Sequence, residues 1–228
     1  MRTIALALSL FFASFNVYAL DISDISNRDA VAGLKAALNK GAGSAVGKLG
    51  KADGFLGNDR VKIPLPDSLQ KLDGTLRRFG MEKYSDELVT TMNRAAEAAV
   101  PEAKALLVNA VKDMSVQDAK GILTGGDTSA TEYFRGKTSK PLAAKFLPIV
   151  QRATAKVGLV QKYDEFAGKA SRLGLVDEGQ TNLENYVTQK ALDGLFLMIA
   201  DEEKAIRANP VEQGSKLLSK VFGAVLNN

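Results

Sequence analysis

Apolar residues in this chain recur at spacings of three and four, and almost nowhere do they alternate. That spacing draws a stripe along a helix, whereas alternation would build strands. The densest stretch is Ala191–Ala200, near-continuously apolar and interrupted by the carboxylate of Asp193. It sits inside a helix expected over residues 183–207, which ends before Pro210 because proline cannot continue the backbone hydrogen bonding. A helix that is apolar nearly all round has to be buried. The run therefore predicts the central element of an all-α fold, one compact domain of about eight to ten helices over residues 29–228.

The rest of the chain supplies the other helices. Ser26-Asn27-Arg28-Asp29 reads as a helix start, and Val31, Leu34, Leu38, Ala45, Val46 and Leu49 follow at helical spacing. Gly33, Gly41, Gly43 and Gly47 weaken that helix by up to about 1 kcal/mol each, or mark close packing or a break near Gly41. Residues 50–67 are irregular. Val61, Ile63 and Leu65 alternate there, but Pro64 and Pro66 bar the segment from a central strand. Asp67 or Ser68 caps a helix ending at Gly80, and Tyr84–Ala99 forms the next, with Leu88, Met92, Ala95, Ala96 and Ala99 inward. Pro101 opens another helix. Ser115-Val116-Gln117-Asp118 resembles a capping box. Asp127 or Thr128 caps a helix carrying Tyr133 and Phe134, and Ser139 caps a separate one kinked at Pro148. Val160, Tyr163, Phe166 and Ala170, then Leu217, Leu218, Val221, Phe222 and Val225, continue the pattern.

The N-terminus carries an address. Met1-Arg2 is positive, Ile4–Phe15 is apolar apart from Ser9 and Ser14, and Val17-Tyr18-Ala19 is a small-x-Ala cleavage pattern. Together they predict a Sec-type signal peptide over 1–19 and a linker over 20–28, hence a periplasmic protein. Twelve residues fall short of the roughly 20 that a spanning helix requires, so no transmembrane span is expected. With no Cys at the cleavage site, no lipid anchor is expected either. The chain contains no His, Cys or Trp. That removes Ser-His-Asp and Cys-His catalysis, His or Cys zinc sites and thiolate-bound clusters. No cofactor is expected, and no disulfide can staple the fold.

Several motifs invite chemistry and yield to plainer readings. Gly136-Lys137-Thr138 lacks the earlier glycine and the preceding strand of a phosphate loop. Ser68-Leu69-Gln70-Lys71 lacks the partner motifs of penicillin-recognising enzymes and reads as an N-cap serine. In Thr124-Gly125-Gly126-Asp127-Thr128-Ser129, Asp127 is expected to occupy the helix start that would otherwise hold an anion. Asp193 in an apolar helix needs a partner or a proton. Lys190, three residues earlier, is the expected one, and the alternative is a polar anchor at the base of a pocket. Asn93, Arg94 and Glu97 make a second polar cluster on an alanine-rich helix. Asp127, Tyr133, Arg135, Lys190, Asp193, Asn93, Arg94 and Glu97 are thus the candidate ligand-binding residues, with none catalytic and none metal-binding.

Charge is unevenly spread. Tyr133–Tyr163 holds seven bases (Arg135, Lys137, Lys140, Lys145, Arg152, Lys156, Lys162) and no acid, while Leu173–Glu203 holds seven acids and the single base Lys190. The two stretches either face and screen each other or leave a basic face for anionic lipid or another polyanion. No aromatic stacking pattern accompanies the bases, which argues against nucleic acid.

Five runs resemble an exported bacterial family of unknown function, domain-of-unknown-function family 4197. They are Asp53-Gly54-Phe55-Leu56-Gly57-Asn58, Ile63-Pro64-Leu65-Pro66, Asn93 to Pro101, Gly121 to Asp127, and Lys190 to Phe196. The resemblance implies a Gram-negative envelope protein and supplies no activity, substrate or catalytic residue. The residues thus point to a periplasmic, non-enzymatic helical module that binds an amphipathic ligand, an anionic envelope lipid or an envelope protein. The alternative is an enzyme using carboxylate or lysine chemistry, with a hard metal ion on Asp127, Asp193 or Asp201.

Overall fold

The computed structural model describes residues 27–78, 82–155 and 182–209. The leader, most of the linker, the helical patterns at 160–170 and 217–225, and the bases Lys156 and Lys162 lie outside them. The described residues form seven α-helices and no strand: α1 Asn27–Leu49, α2 Asp67–Arg78, α3 Glu82–Ala99, α4 Ala103–Lys112, α5 Val116–Thr124, α6 Ser129–Thr154 and α7 Leu183–Ala208. A 3-10 turn, Val100–Glu102, joins α3 to α4 and takes Pro101 at its start, where no backbone N–H is needed.

The two long helices α6 and α7 make the centre. They pack on each other; α6 also meets α3 and α4, and α7 also meets α1 and α3. Within the run Ala191–Ala200 only Asp193, Leu197 and Ala200 escape burial. The expected central rod is therefore the observed one. Around it Leu88, Met92, Ala95, Ala96 and Ala99 of α3 are fully buried, as their spacing predicts.

Three local expectations change. First, α1 starts at Asn27, where Ser26–Asp29 reads as a helix start but two residues before the expected end of the linker, and it runs to Leu49 without a break near Gly41. Gly41 is there for packing: a Cβ on it would sit 3.2 Å from the Ile206 Cδ1 of α7. Second, α6 is one helix rather than two, passing through both Pro141 and Pro148. Ser139 is not its cap, since its hydroxyl donates back to the Arg135 carbonyl at 2.6 Å. Along α6, Ala130, Phe134, Thr138, Leu142, Phe146, Val150 and Thr154 are buried at every fourth position. That is the ridge along which helices interdigitate, so the buried stripe winds around the helix and escapes a reading that expects one straight face. Third, Thr128, one of the two expected caps, holds the N-cap position of α6, but its side chain makes no cap bond. The buried carboxylate of Glu203 makes these bonds from α7, accepting from the N–H groups of Ala130 and Thr131 at 2.9 Å and from the Thr131 hydroxyl at 2.8 Å. By contrast, the capping box at Ser115 and Asp118 forms as the sequence predicts.

Candidate functional site

The irregular segment 50–66 is held against the helices by polar side chains of α3. Asn93, fully buried, accepts from the Ile63 N–H at 2.8 Å and donates to the Ile63 carbonyl at 2.9 Å. It thus replaces a strand neighbour for one residue of an extended segment. One turn on, Glu97 accepts from the N–H groups of Phe55 and Leu56 at 3.0 and 3.1 Å. Arg94 then joins Glu97 to Asp53. Asp53 sits in the left-handed region at φ 62°, a conformation that Asp tolerates better than most residues. Below this loop Phe55 is fully buried against α7, and Gly194 makes the space: a Cβ there would lie 2.7 Å from the Phe55 ring. Tyr186 of α7 donates to the Pro64 carbonyl at 3.1 Å. Asn93, Arg94 and Glu97 are therefore spent on backbone and on one another.

The pinned loop forms one wall of an open cleft of about 710 Å³, with α2 and α3 as the others. Leu56, Pro64, Leu65 and Val89 give it an apolar lining, while Lys62, Arg77, Asp59, Asp73 and Asp86 give it charge. The volume is in the range of small-molecule sites. Three carboxylates do gather here, but Arg77 bridges two of them, donating to Asp73 at 2.8 Å and to Asp86 at 2.7 Å. The Ser85 hydroxyl, and next Arg77, hold the Asp73 carboxyl below its ordinary range. Pairing with Asp73 and Asp86 raises the Arg77 guanidinium further. An ionised, paired Asp73 is a poor proton donor at neutral pH.

The other candidates lie elsewhere. Arg135, Lys190 and Asp193 share one patch on α6 and α7. The Arg135 guanidinium lies 4.7 Å over the buried Phe196 ring and 4.0 Å from the Asp193 carboxylate. Asp193 is not the buried charge its apolar surroundings suggest: its side chain is 47% exposed and accepts from Gln189 at 2.9 Å. The helical period places it on the outward strip with Lys190 and Leu197, and Leu197 hides that strip from a reading of composition. Lys190 does not pair with Asp193 but lies over the Tyr186 ring. Tyr133 donates to the Ala110 carbonyl at 2.8 Å, tying α6 to α4. Burial, then Asp118 and Asp113, raises its hydroxyl above the ordinary value. Asp127 is exposed in the turn before α6. Among the described residues no three carboxylates group so as to hold a metal ion.

Sequence reasoning missed Glu203, Arg207 and the cleft residues. Arg207 pairs with Glu203 at 2.8 Å and donates to the Ile122 carbonyl at the end of α5 at 2.9 Å. The i,i+4 spacing of Glu203 and Arg207 was a legible sign of the pair, though not of its caps.

Residues 24–223 match the family described as "Protein of unknown function (DUF4197)". The chain belongs to this family. Four of the five runs that carry the resemblance meet in the loop-pinning assembly: Asp53–Asn58, Ile63–Pro66, Asn93–Pro101 and Lys190–Phe196. No curated protein and no solved structure matches the chain. No helix among the described residues is long and apolar enough to cross a membrane.

Proposed function

We propose that this family member is a non-catalytic binding module of the periplasm, and that an amphipathic molecule seats in the cleft between the 50–66 loop, α2 and α3. One observation carries the reading: an open cleft of about 710 Å³ has an apolar lining and a charged rim, and its loop wall is fixed by buried hydrogen bonds from Asn93 and Glu97. A preformed wall lowers the ordering cost of binding. The candidate residues Asn93, Arg94 and Glu97 then act as positioning residues, and Arg77 and Lys62 are the cations nearest an acidic head group. The leader read from residues 1–19 supports the address.

Titration of a dansyl-labelled fatty acid into the purified protein tests the site. Saturable binding is expected, and Thr90→Trp, which fills the cleft from an exposed position, should weaken it about tenfold, the effect of losing roughly 1.4 kcal/mol. Val108→Trp, exposed on α4, should leave it unchanged. Absence of saturable binding, or an unaffected Thr90→Trp, overturns the site. N-terminal sequencing of a periplasmic fraction tests the address; an intact Met1 in the cytoplasm overturns that.

A further inference from the structure

The basic stretch and the acidic stretch of this chain pack together as α6 and α7, yet they barely neutralise each other. Three acids of α7 are taken by bases outside α6: Asp201 by Arg60, Glu202 by Lys48 of α1, and Glu203 by Arg207, with the start of α6 also bonded to Glu203. Glu184 accepts from the Thr154 hydroxyl. Among the described residues, Arg135 is the one base of α6 that pairs with an acid of α7, Asp193. Lys137, Lys140, Lys145 and Arg152 remain exposed, and none makes an ion pair with a described acid. Lys137 alone stands within electrostatic reach of one, Asp118.

These four lie on one outward stripe of α6, with the exposed Pro141, Ala144 and Pro148 between them. From Lys137 to Arg152 the stripe is about 22 Å long at 1.5 Å per residue. It carries no acid and no aromatic ring. Single-stranded nucleic acid is gripped by a series of rings stacked among the bases; the ring beside Lys137, that of Tyr133, is half-buried and tied by its hydroxyl to the Ala110 carbonyl. A row of cations interleaved with small apolar residues instead suits a flat anionic surface, where each base near the headgroups adds attraction and lysine stems can reach outward.

We propose that the outer face of α6 docks this protein peripherally on an anionic phospholipid bilayer, with Lys137, Lys140, Lys145 and Arg152 as the contacts. The docking is independent of the cleft, which opens on α2 and α3.

Co-sedimentation with phosphatidylglycerol vesicles, and with phosphatidylcholine vesicles as the neutral reference, tests it. The wild-type chain should bind the first at low salt, ignore the second, and be released by molar salt, where screening shortens to about 3 Å. Each base is expected to contribute about fivefold. The variant K137Q/K140Q/K145Q/R152Q should therefore lose at least about a hundredfold in partitioning. A control with the same charge loss elsewhere, K51Q/K83Q/K104Q/K204Q, should lose far less. Circular dichroism checks the fold, and single reversals at Lys140 and Lys145 serve if the quadruple variant fails to fold. No binding to phosphatidylglycerol, equal losses in both variants, or binding that survives molar salt overturns the proposal. The α6 variant should still take the dansyl fatty acid, so failure here and failure of the cleft reading are separable.

Discussion

Asn93 divides its amide between one residue of a loop and its own helix. Its oxygen accepts from the Ile63 N–H, and its nitrogen donates to the Ile63 and Val89 carbonyls. Ile63 is buried at 1% exposure, so deleting the amide leaves two peptide groups without water or partner. Each costs about 1–3 kcal/mol. Asn93→Ala should therefore lose about 2–4 kcal/mol in urea denaturation, and a loss near zero would mean the loop is held by its apolar contacts alone. Gly194 is the matching constraint on α7. Its missing side chain lets the Phe55 ring approach, so Gly194→Ala should cost about 1–3 kcal/mol by overpacking. Adding Phe55→Leu should cost less than the sum of the two single changes, because the residues share one contact. Additive losses would show that Gly194 serves its own helix instead.

At the scale of elements, glycine has two meanings within α1. Gly41 faces Ile206 and Glu202 of α7, whereas Gly43 has nothing within 4 Å. A helix interior favours Ala over Gly by up to about 1 kcal/mol. Gly43→Ala should raise thermal stability by roughly that amount, while Gly41→Ala should gain nothing or lose, since Ile206 must give way. Equal gains at both would mean the α1–α7 contact is loose. The start of α6 teaches a related lesson. A helix start was legible near residue 128, and polar residues stood ready beside it. The carboxylate that meets its N–H groups nevertheless comes from Glu203, more than seventy residues away. Helix N-termini attract the nearest available negative charge in space, and sequence proximity is only one way to supply it.

For the whole molecule, charge sets the response to pH. The chain contains no His, the side chain whose ordinary pKa falls between roughly pH 5 and 8. Among the described residues, the shifted groups all move away from that window: Asp73 and Asp118 downward, Arg60, Arg77, Arg94 and Tyr133 upward. Unfolding free energy should therefore be nearly flat from about pH 5 to 8. Asp73, lowered from 3.8 in the fold, contributes stability that is present above that value and lost as pH falls through the folded one. Asp73→Asn should make the acid limb shallower in a denaturation series. Tyr133, raised from 10.0, contributes below that value and loses its share as pH rises beyond it. A steep change near neutrality would contradict this distribution of charge.

Local spacing alone was enough to specify an all-helical chain, the buried rod at 191–200, the inward face of α3 and the capping box at Ser115, because each depends on residues within a turn or two of one another. It also carried the family, through short runs that are specific together though each is weak alone. Tertiary structure decided what those runs do. It joined two expected helices into α6, turned Asp193 outward, and brought Glu203 to a distant helix end. It made Asn93, Arg94 and Glu97 the brace of a loop, and opened a cleft from residues of three separate segments. Hydrogen bonds and charges act through space, so their partners become legible only when the chain has been packed.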